Sequence, residues 1–155
     1  MPRWFSFTSF MAANVLIDTE VLFYVWQRDP PLHRHFHTYL GGIGMGIVAG
    51  VSVCVASRVL RRAAPGLPRR WPTECAASRT AALVAGILGG SSHVFLDSLV
   101  HREMQPFWPL AIDNHLVGLV GHGTVHQGCA ALGILGAVFW LLLNATYPGA
   151  ASSKG

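Results

Sequence analysis

The chain has 155 residues, of which 52% are hydrophobic and only 12% are charged. A soluble domain carries about 25% charged residues, so this small chain has too few polar groups to cover its surface in water. The composition therefore excludes a water-soluble monomer, and it excludes disorder because disordered chains combine low hydrophobicity with high charge. The basic residues behind the net charge of +4 lie between apolar segments, so we expect a membrane protein with no nucleic-acid partner.

Four apolar segments are each long enough for a helix that crosses a ~30 Å hydrocarbon core, which takes about 20 residues. We predict an all-α fold, an integral membrane four-helix bundle formed by residues 1–149, with a short polar tail at 150–155. The first segment carries Asp18 and Glu20, which point to different sides of a regular helix. For both acids to reach one site, one or more segments must be broken or re-entrant. The predicted spans are residues 4–26, 36–60, 80–100 and 116–143.

A basic, turn-rich stretch at residues 61–72 connects the second and third segments, and the positive-inside rule places it in the cytoplasm. With four spans, both termini are then cytoplasmic, and eight of the eleven Lys and Arg residues lie on that side. The segments at 27–35 and 101–115 face outward. We therefore expect a multi-pass protein of the cytoplasmic (inner) membrane.

Small residues recur at helical spacing on two segments, as is typical of helices that approach closely in lipid. We expect tight helix–helix contact along both. The two sets are Gly42, Gly46 and Gly50 on one segment, and Ala82, Gly86 and Gly90 on the other.

Ionisable side chains gather at the outer ends of the predicted spans. All eight histidines and six of the seven acids lie there or in the outer loops. Asp18, for example, is ~21 Å along the first helix, in the outer third of the hydrocarbon core. Ionisable groups in a bilayer are costly and usually functional, so their common depth predicts a site built from several spans.

The spacing within the segments favours a metal site. His33 and His37 are four residues apart, as are His93 and Asp97, and positions four apart share a helix face. Imidazole and carboxylate ligands suit a divalent ion, zinc in the first place, with manganese or iron as alternatives. The predicted metal ligands are Asp18, His33, His37, His93, Asp97 and His126. Three further residues stay open as ligands: Glu20, His101 and His122.

Three blocks of the sequence, at residues 17–20, 33–38 and 92–101, resemble the signature blocks of the predicted membrane-bound metal-dependent hydrolases. That bacterial and archaeal family is distantly similar to zinc-dependent phospholipase C. The Pro-Phe pair at 106–107 also resembles an element that follows the family's third block. The resemblance covers roughly residues 10–130. It implies a helical bundle in a bacterial or archaeal membrane, a metal site near the membrane surface, and hydrolysis of a phosphoester or lipid-like substrate.

The first functional hypothesis is a membrane-embedded metal-dependent hydrolase with Glu20 and Asp97 as catalytic residues, Glu20 serving as general base. Its partners would be membrane lipid and a small-molecule or lipid-like substrate. A haem-binding membrane electron carrier is an alternative, because histidines from different spans can be axial ligands. A non-catalytic membrane scaffold protein is a second alternative.

Overall fold

The structure is a computed structural model that describes residues 5–64, 78–110 and 112–146. Within these ranges every long regular element is an α-helix and no strand occurs, which confirms the predicted all-α class. The helices are α1 (Phe7–Gln27), α2 (Tyr39–Ala63), α3 (Arg79–Ser98) and α4 (His122–Thr146).

Hydroxyl side chains set the starts of the first three helices. Ser6, Thr38 and Ser78 each accept a hydrogen bond from the backbone N–H three residues further on, at 3.3, 2.9 and 3.1 Å. Such caps satisfy amide groups that have no partner within the helix. Because Thr38 caps α2, the helix begins three residues later than predicted, and His37 lies in the preceding connection instead of on the helix.

Helices α2 and α3 pack through the small residues, as predicted. A Cβ atom on Gly46 would overlap the carbonyl oxygen of Gly86, and one on Gly50 would lie 2.8 Å from the carbonyl oxygen of Ala82. The two backbones therefore approach as closely as glycine allows. Helix α1 packs against both, burying Ala13 and Ile17 completely.

The connections place the polar residues at one end of this three-helix unit. Helix α2 runs antiparallel to α3, since Gly42 lies against Gly90 and Gly50 against Ala82, and α1 runs parallel to α3, since Phe10 lies against Gly89 and Asn14 against His93. The ends of α1 and α3 therefore lie beside the start of α2. Residues 28–38 join α1 to α2 there, and residues 99–121 follow α3 at the same end. No helix is interrupted within its described length, so the broken segment expected in the first span does not occur in α1.

Helix α4 departs from the predicted four-helix bundle. It begins at His122, later than expected, and its described side chains are almost all exposed. Leu132, Leu135 and Phe139, for example, are 72%, 64% and 64% exposed. The packed unit among the described residues is therefore α1, α2 and α3, because only these three share extensive contacts.

Helices α1, α2 and α3 are each long and apolar enough to cross a membrane. Their outer surfaces carry large apolar side chains such as Val15 and Leu22, which are 65% and 68% exposed. Apolar surface of this extent indicates membrane association. The number of passes, the side on which the termini lie and the type of cell stay predictions, and the polar tail at 150–155 lies outside the described residues.

Candidate metal centre

Four side chains from three parts of the chain meet at the polar end of the bundle: Asp18 from α1, His37 from the 28–38 connection, and His93 and Asp97 from α3. One ligand atom of each lies within 4.8 Å of those of the others. Nε2 of His93 is 3.2 Å from Oδ1 of Asp18 and 3.2 Å from Oδ2 of Asp97. Nε2 of His37 is 3.8 and 3.5 Å from the same two oxygens. We call these four residues the tetrad.

The atoms of the tetrad fit a divalent ion. Nε2 of His37 and Nε2 of His93 are both buried, and neither makes a hydrogen bond within the described structure. Ligands that stand about 2.0 Å from a tetrahedral ion are about 3.3 Å from one another. The observed separations of 3.2 to 3.8 Å are close to that value. Two buried nitrogens without a partner therefore face two carboxylate oxygens at the spacing of ligands around a common centre.

The Nδ1 atom of each of the two imidazole rings lies near a side-chain oxygen that can accept its hydrogen bond. Nδ1 of His37 lies 3.0 Å from Oε2 of Glu20, and Nδ1 of His93 lies 3.3 Å from Oδ1 of Asn14. Asn14 also donates from Nδ2 to the carbonyl of Phe10 at 2.7 Å, which orients its amide oxygen toward His93. An acceptor at Nδ1 keeps the proton there and leaves the Nε2 lone pair for a metal.

Glu20 also fastens the 28–38 connection to α1. Its buried carboxylate accepts hydrogen bonds from three consecutive backbone N–H groups, those of Arg34, His35 and Phe36, at 3.1, 2.8 and 3.0 Å. The ring of His37 lies between Glu20 and Asp18, with one nitrogen toward each. Both acids therefore reach the site from a regular helix, which is why the expected break in the first span is unnecessary.

A second group of possible ligands lies next to the tetrad and consists of His33, His101 and Glu103. Nδ1 of His33 is 2.9 Å from Oε1 of Glu103, and Nδ1 of His101 is 3.6 Å from the same oxygen. The two imidazole rings are stacked with their centroids 3.9 Å apart. The ring of His33 also meets that of His37 edge to face at 4.7 Å, which joins the two groups. We call these three residues the triad.

The electrostatics of the triad favour the ligating forms of His101 and Glu103. Burial and the neighbouring His33 lower the pKa of His101, which favours the neutral imidazole. Burial alone would raise the pKa of the Glu103 carboxyl. Hydrogen bonds from its own backbone N–H and from His33 outweigh that effect and lower the pKa overall, so Glu103 stays ionised.

Cavities open on both of these groups. One of about 450 Å³ is bounded by His33 and Glu103 of the triad and by His35, Gln105 and Trp108. A smaller one of about 170 Å³ lies between α3 and α4. It is lined by His93 and Asp97 of the tetrad, by His126 and Cys129 of α4, and by apolar side chains. Solvent and small molecules can therefore reach each group of possible ligands through a separate cavity.

The structure brings together four of the six predicted ligands and separates the other two. His33 belongs to the triad. His126 is exposed on α4, where its Nδ1 lies 3.0 Å from the carbonyl oxygen of His122, and it faces the smaller cavity. The helix-face argument for His33 and His37 is wrong, because both lie in the irregular 28–38 connection and meet through its turns.

Sequence reasoning missed Asn14 and Glu103. Asn14 precedes Asp18 by four residues on α1, the same spacing that drew attention to His93 and Asp97, so that signal was present. Glu103 has no such signal. It lies in the irregular connection after α3, and only the path of that connection brings it to His33.

Comparisons with protein-family models, curated proteins and solved structures found no match to this chain. The resemblance to membrane-bound metal-dependent hydrolases therefore stays a prediction that rests on the three sequence blocks. Within the described residues, the geometry establishes an all-helical architecture and two neighbouring groups of His, Asp and Glu side chains that could hold a metal ion.

Proposed function

We propose that this chain is a membrane-embedded metal-dependent hydrolase that acts on a phosphoester or lipid-like substrate at the membrane surface. The observation that carries the proposal is the pair of buried Nε2 atoms, of His37 and His93, which have no hydrogen-bond partner and face two carboxylates. Buried polar atoms are nearly always satisfied, and an ion bound between the two rings would supply the partner that both nitrogens lack. Zinc suits this mixed nitrogen and oxygen set best, with manganese or iron as alternatives.

In this proposal the tetrad holds the ion, and Glu20 and Asn14 keep the two imidazoles oriented toward it. A bound divalent ion supplies a positive charge that acidifies water and stabilises negative charge on the substrate. The Asp18 side chain is 56% exposed, whereas that of His37 is fully buried. Asp18 is therefore the member of the tetrad that is most open to solvent.

Proton transfer requires a group that faces the cavity. Glu20, the base expected from the sequence, is occupied by four hydrogen bonds on the far side of the His37 ring. We therefore assign it a positioning role. His126 lines the smaller cavity, and because its Nδ1 donates to a carbonyl, its Nε2 can accept a proton. Asp97, the other predicted catalytic residue, lines the same cavity as a ligand.

The walls of the smaller cavity support a substrate with an apolar part. Leu96, Val100 and Val125 stand beside the charged Asp97 and His93. A molecule with a polar head and an apolar chain could place its head beside the charged side chains of this cavity and its chain beside the apolar ones. The large exposed apolar surfaces of the helices also suit a substrate that arrives from lipid.

The haem alternative finds less support in this geometry. Two axial histidines stand on opposite faces of a flat macrocycle. Here the Nε2 atoms of His37 and His93 share two carboxylate oxygens at 3.2 to 3.8 Å, which leaves no gap for a porphyrin between them.

The test uses the full chain purified in detergent, with Asp97→Asn as the variant and Asp113→Asn as its control. Asp113 is an exposed carboxylate outside both ligand groups. We expect the parent and the control to retain a divalent metal and to cleave bis(4-nitrophenyl) phosphate or a short-chain phospholipid. Asp97→Asn should lose the ion held by the tetrad together with the activity. A folded parent that binds neither zinc nor manganese would overturn the proposal, and a Soret band would favour the haem carrier instead.

A further inference from the structure

The tetrad by itself satisfies a four-coordinate ion. Zinc sites in which the protein supplies four ligands are usually closed and structural, whereas catalytic sites keep one position open with three protein ligands. Two imidazole nitrogens and two carboxylate oxygens already make four. If the chain is a hydrolase, a position for water or substrate has to come from an exposed ligand such as Asp18 or from a second ion.

The triad has the composition of an open site. Its two imidazoles and one carboxylate are the ligand types of zinc sites that retain a free position. The cavity of about 450 Å³ is lined by His33 and Glu103 and also by His35, which belongs to neither group of possible ligands, so solvent and small molecules reach the triad from this side.

The distances in the triad are close to those of coordination. The two separations to Oε1 of Glu103, 2.9 Å from His33 and 3.6 Å from His101, lie on either side of the spacing of about 3.3 Å between ligands of a tetrahedral zinc. Small side-chain shifts would equalise them. An ion at the triad would require a lone pair on the coordinating nitrogen of each imidazole, with the ring proton on the other nitrogen.

The two groups also adjoin. His33 and His37 meet with their ring centroids 4.7 Å apart, and one belongs to each group. The 28–38 connection supplies both residues, and Glu20 fixes its backbone. Enzymes that hydrolyse phosphoesters frequently use two neighbouring ions, which stabilise the attacking and leaving oxygens together.

We propose that His33, His101 and Glu103 form a second metal site, distinct from the tetrad, whose free position opens into the cavity of about 450 Å³ lined by His33 and Glu103. The site binds a divalent ion whether or not the chain is a hydrolase. Its use in placing the substrate beside the tetrad rests on the proposed function. The ligand class in that cavity would be an anionic oxygen, such as a phosphoester oxygen.

The experiment measures stoichiometry, so it does not depend on activity. The purified full chain is stripped of metal with a chelator and titrated with Co²⁺, whose visible absorption reports the coordination of each site. Zinc content after desalting is measured in parallel. The triad variants are Glu103→Gln and His101→Ala, and the tetrad variant is Asp97→Asn. Matched controls are Asp113→Asn and His115→Ala, both at exposed positions outside either group.

We expect two ions per chain for the parent and both controls, and one ion for each triad variant and for Asp97→Asn. The Co²⁺ spectrum that remains in Glu103→Gln should differ from the one that remains in Asp97→Asn. One ion in both the parent and Glu103→Gln overturns the second site and leaves the proposed function intact. Two ions in the triad variants overturn the assignment of ligands. No ion in the folded parent overturns both proposals.

Discussion

The carboxylate of Glu20 and the imidazole of His37 form a buried pair in which Oε2 lies 3.0 Å from Nδ1. The same oxygen accepts backbone N–H groups of the connection that carries His37, so one side chain fixes both the ring and the backbone around it. A carboxylate behind a histidine is the usual partner of a metal ligand, because it sets the tautomer and raises the basicity of the ring. Glu20 therefore acts on the site through His37.

Glu20→Gln should weaken metal binding without removing the site. The amide keeps one acceptor oxygen but brings an NH₂ group toward donors, so His37 or the backbone loses a partner. We expect metal affinity to fall by about 10–100-fold while the stoichiometry at saturating metal is unchanged. Competition with a fluorescent chelator measures both quantities. A lower kcat at unchanged affinity would instead show that Glu20 is the general base.

Asn14 should have the same effect on His93. Asn14→Leu preserves the size of the side chain and removes the oxygen that faces Nδ1 of His93, so we expect a loss of about 10–100-fold in metal affinity. Asn14→Asp keeps an acceptor at that position and should retain most of the affinity. Equal affinities for Asn14→Leu and the parent would contradict the role of this residue.

The contact between α2 and α3 should tolerate no methyl group at its centre. A Cβ on Gly46 meets the backbone of Gly86, which cannot move aside as a side chain can. We expect Gly46→Ala to lower the free energy of unfolding by about 1–3 kcal/mol. Gly44→Ala is the matched control, since nothing lies within 4 Å of its Cβ, and it should be neutral or stabilising. Thermal unfolding in detergent measures both variants, and equal midpoints would contradict the packing.

The distribution of basic residues predicts which side of the membrane carries the site. In a Cys129→Ser background, which removes an exposed thiol, Asp113→Cys should react with a membrane-impermeant maleimide in intact cells. Arg62→Cys, at the exposed end of α2, should react only after the membrane is permeabilised. The opposite pattern would place both ligand groups on the cytoplasmic side and leave the metal-site argument unchanged.

The tetrad could be predicted from the sequence because its residues are related by their spacing along single helices. His93 and Asp97 are four residues apart on one helix, and that spacing alone puts them on one face. Asp18 lies near the same end of another apolar helix. Because the hydrocarbon layer has a fixed thickness, residues at the same distance along two spanning helices lie at the same depth, so the sequence also predicts that Asp18 lies level with His93 and Asp97. The triad could not be predicted in this way, because Glu103 lies in an irregular connection, where helical spacing does not say which residues meet.

The sequence by itself determined the helical class, the apolar helices and the gathering of ionisable groups at one end, since these follow from hydrophobic length and helical period. The tertiary structure decided which atoms face each other. Glu20 proved to lie behind His37 because the 28–38 connection, whose backbone N–H groups donate to Glu20, places the His37 ring between two acids of one helix. Likewise the tertiary structure shows that α4 stands apart from the other helices: nothing lies within 4 Å of a Cβ built on its glycines, whereas one on Gly46 would meet the backbone of Gly86.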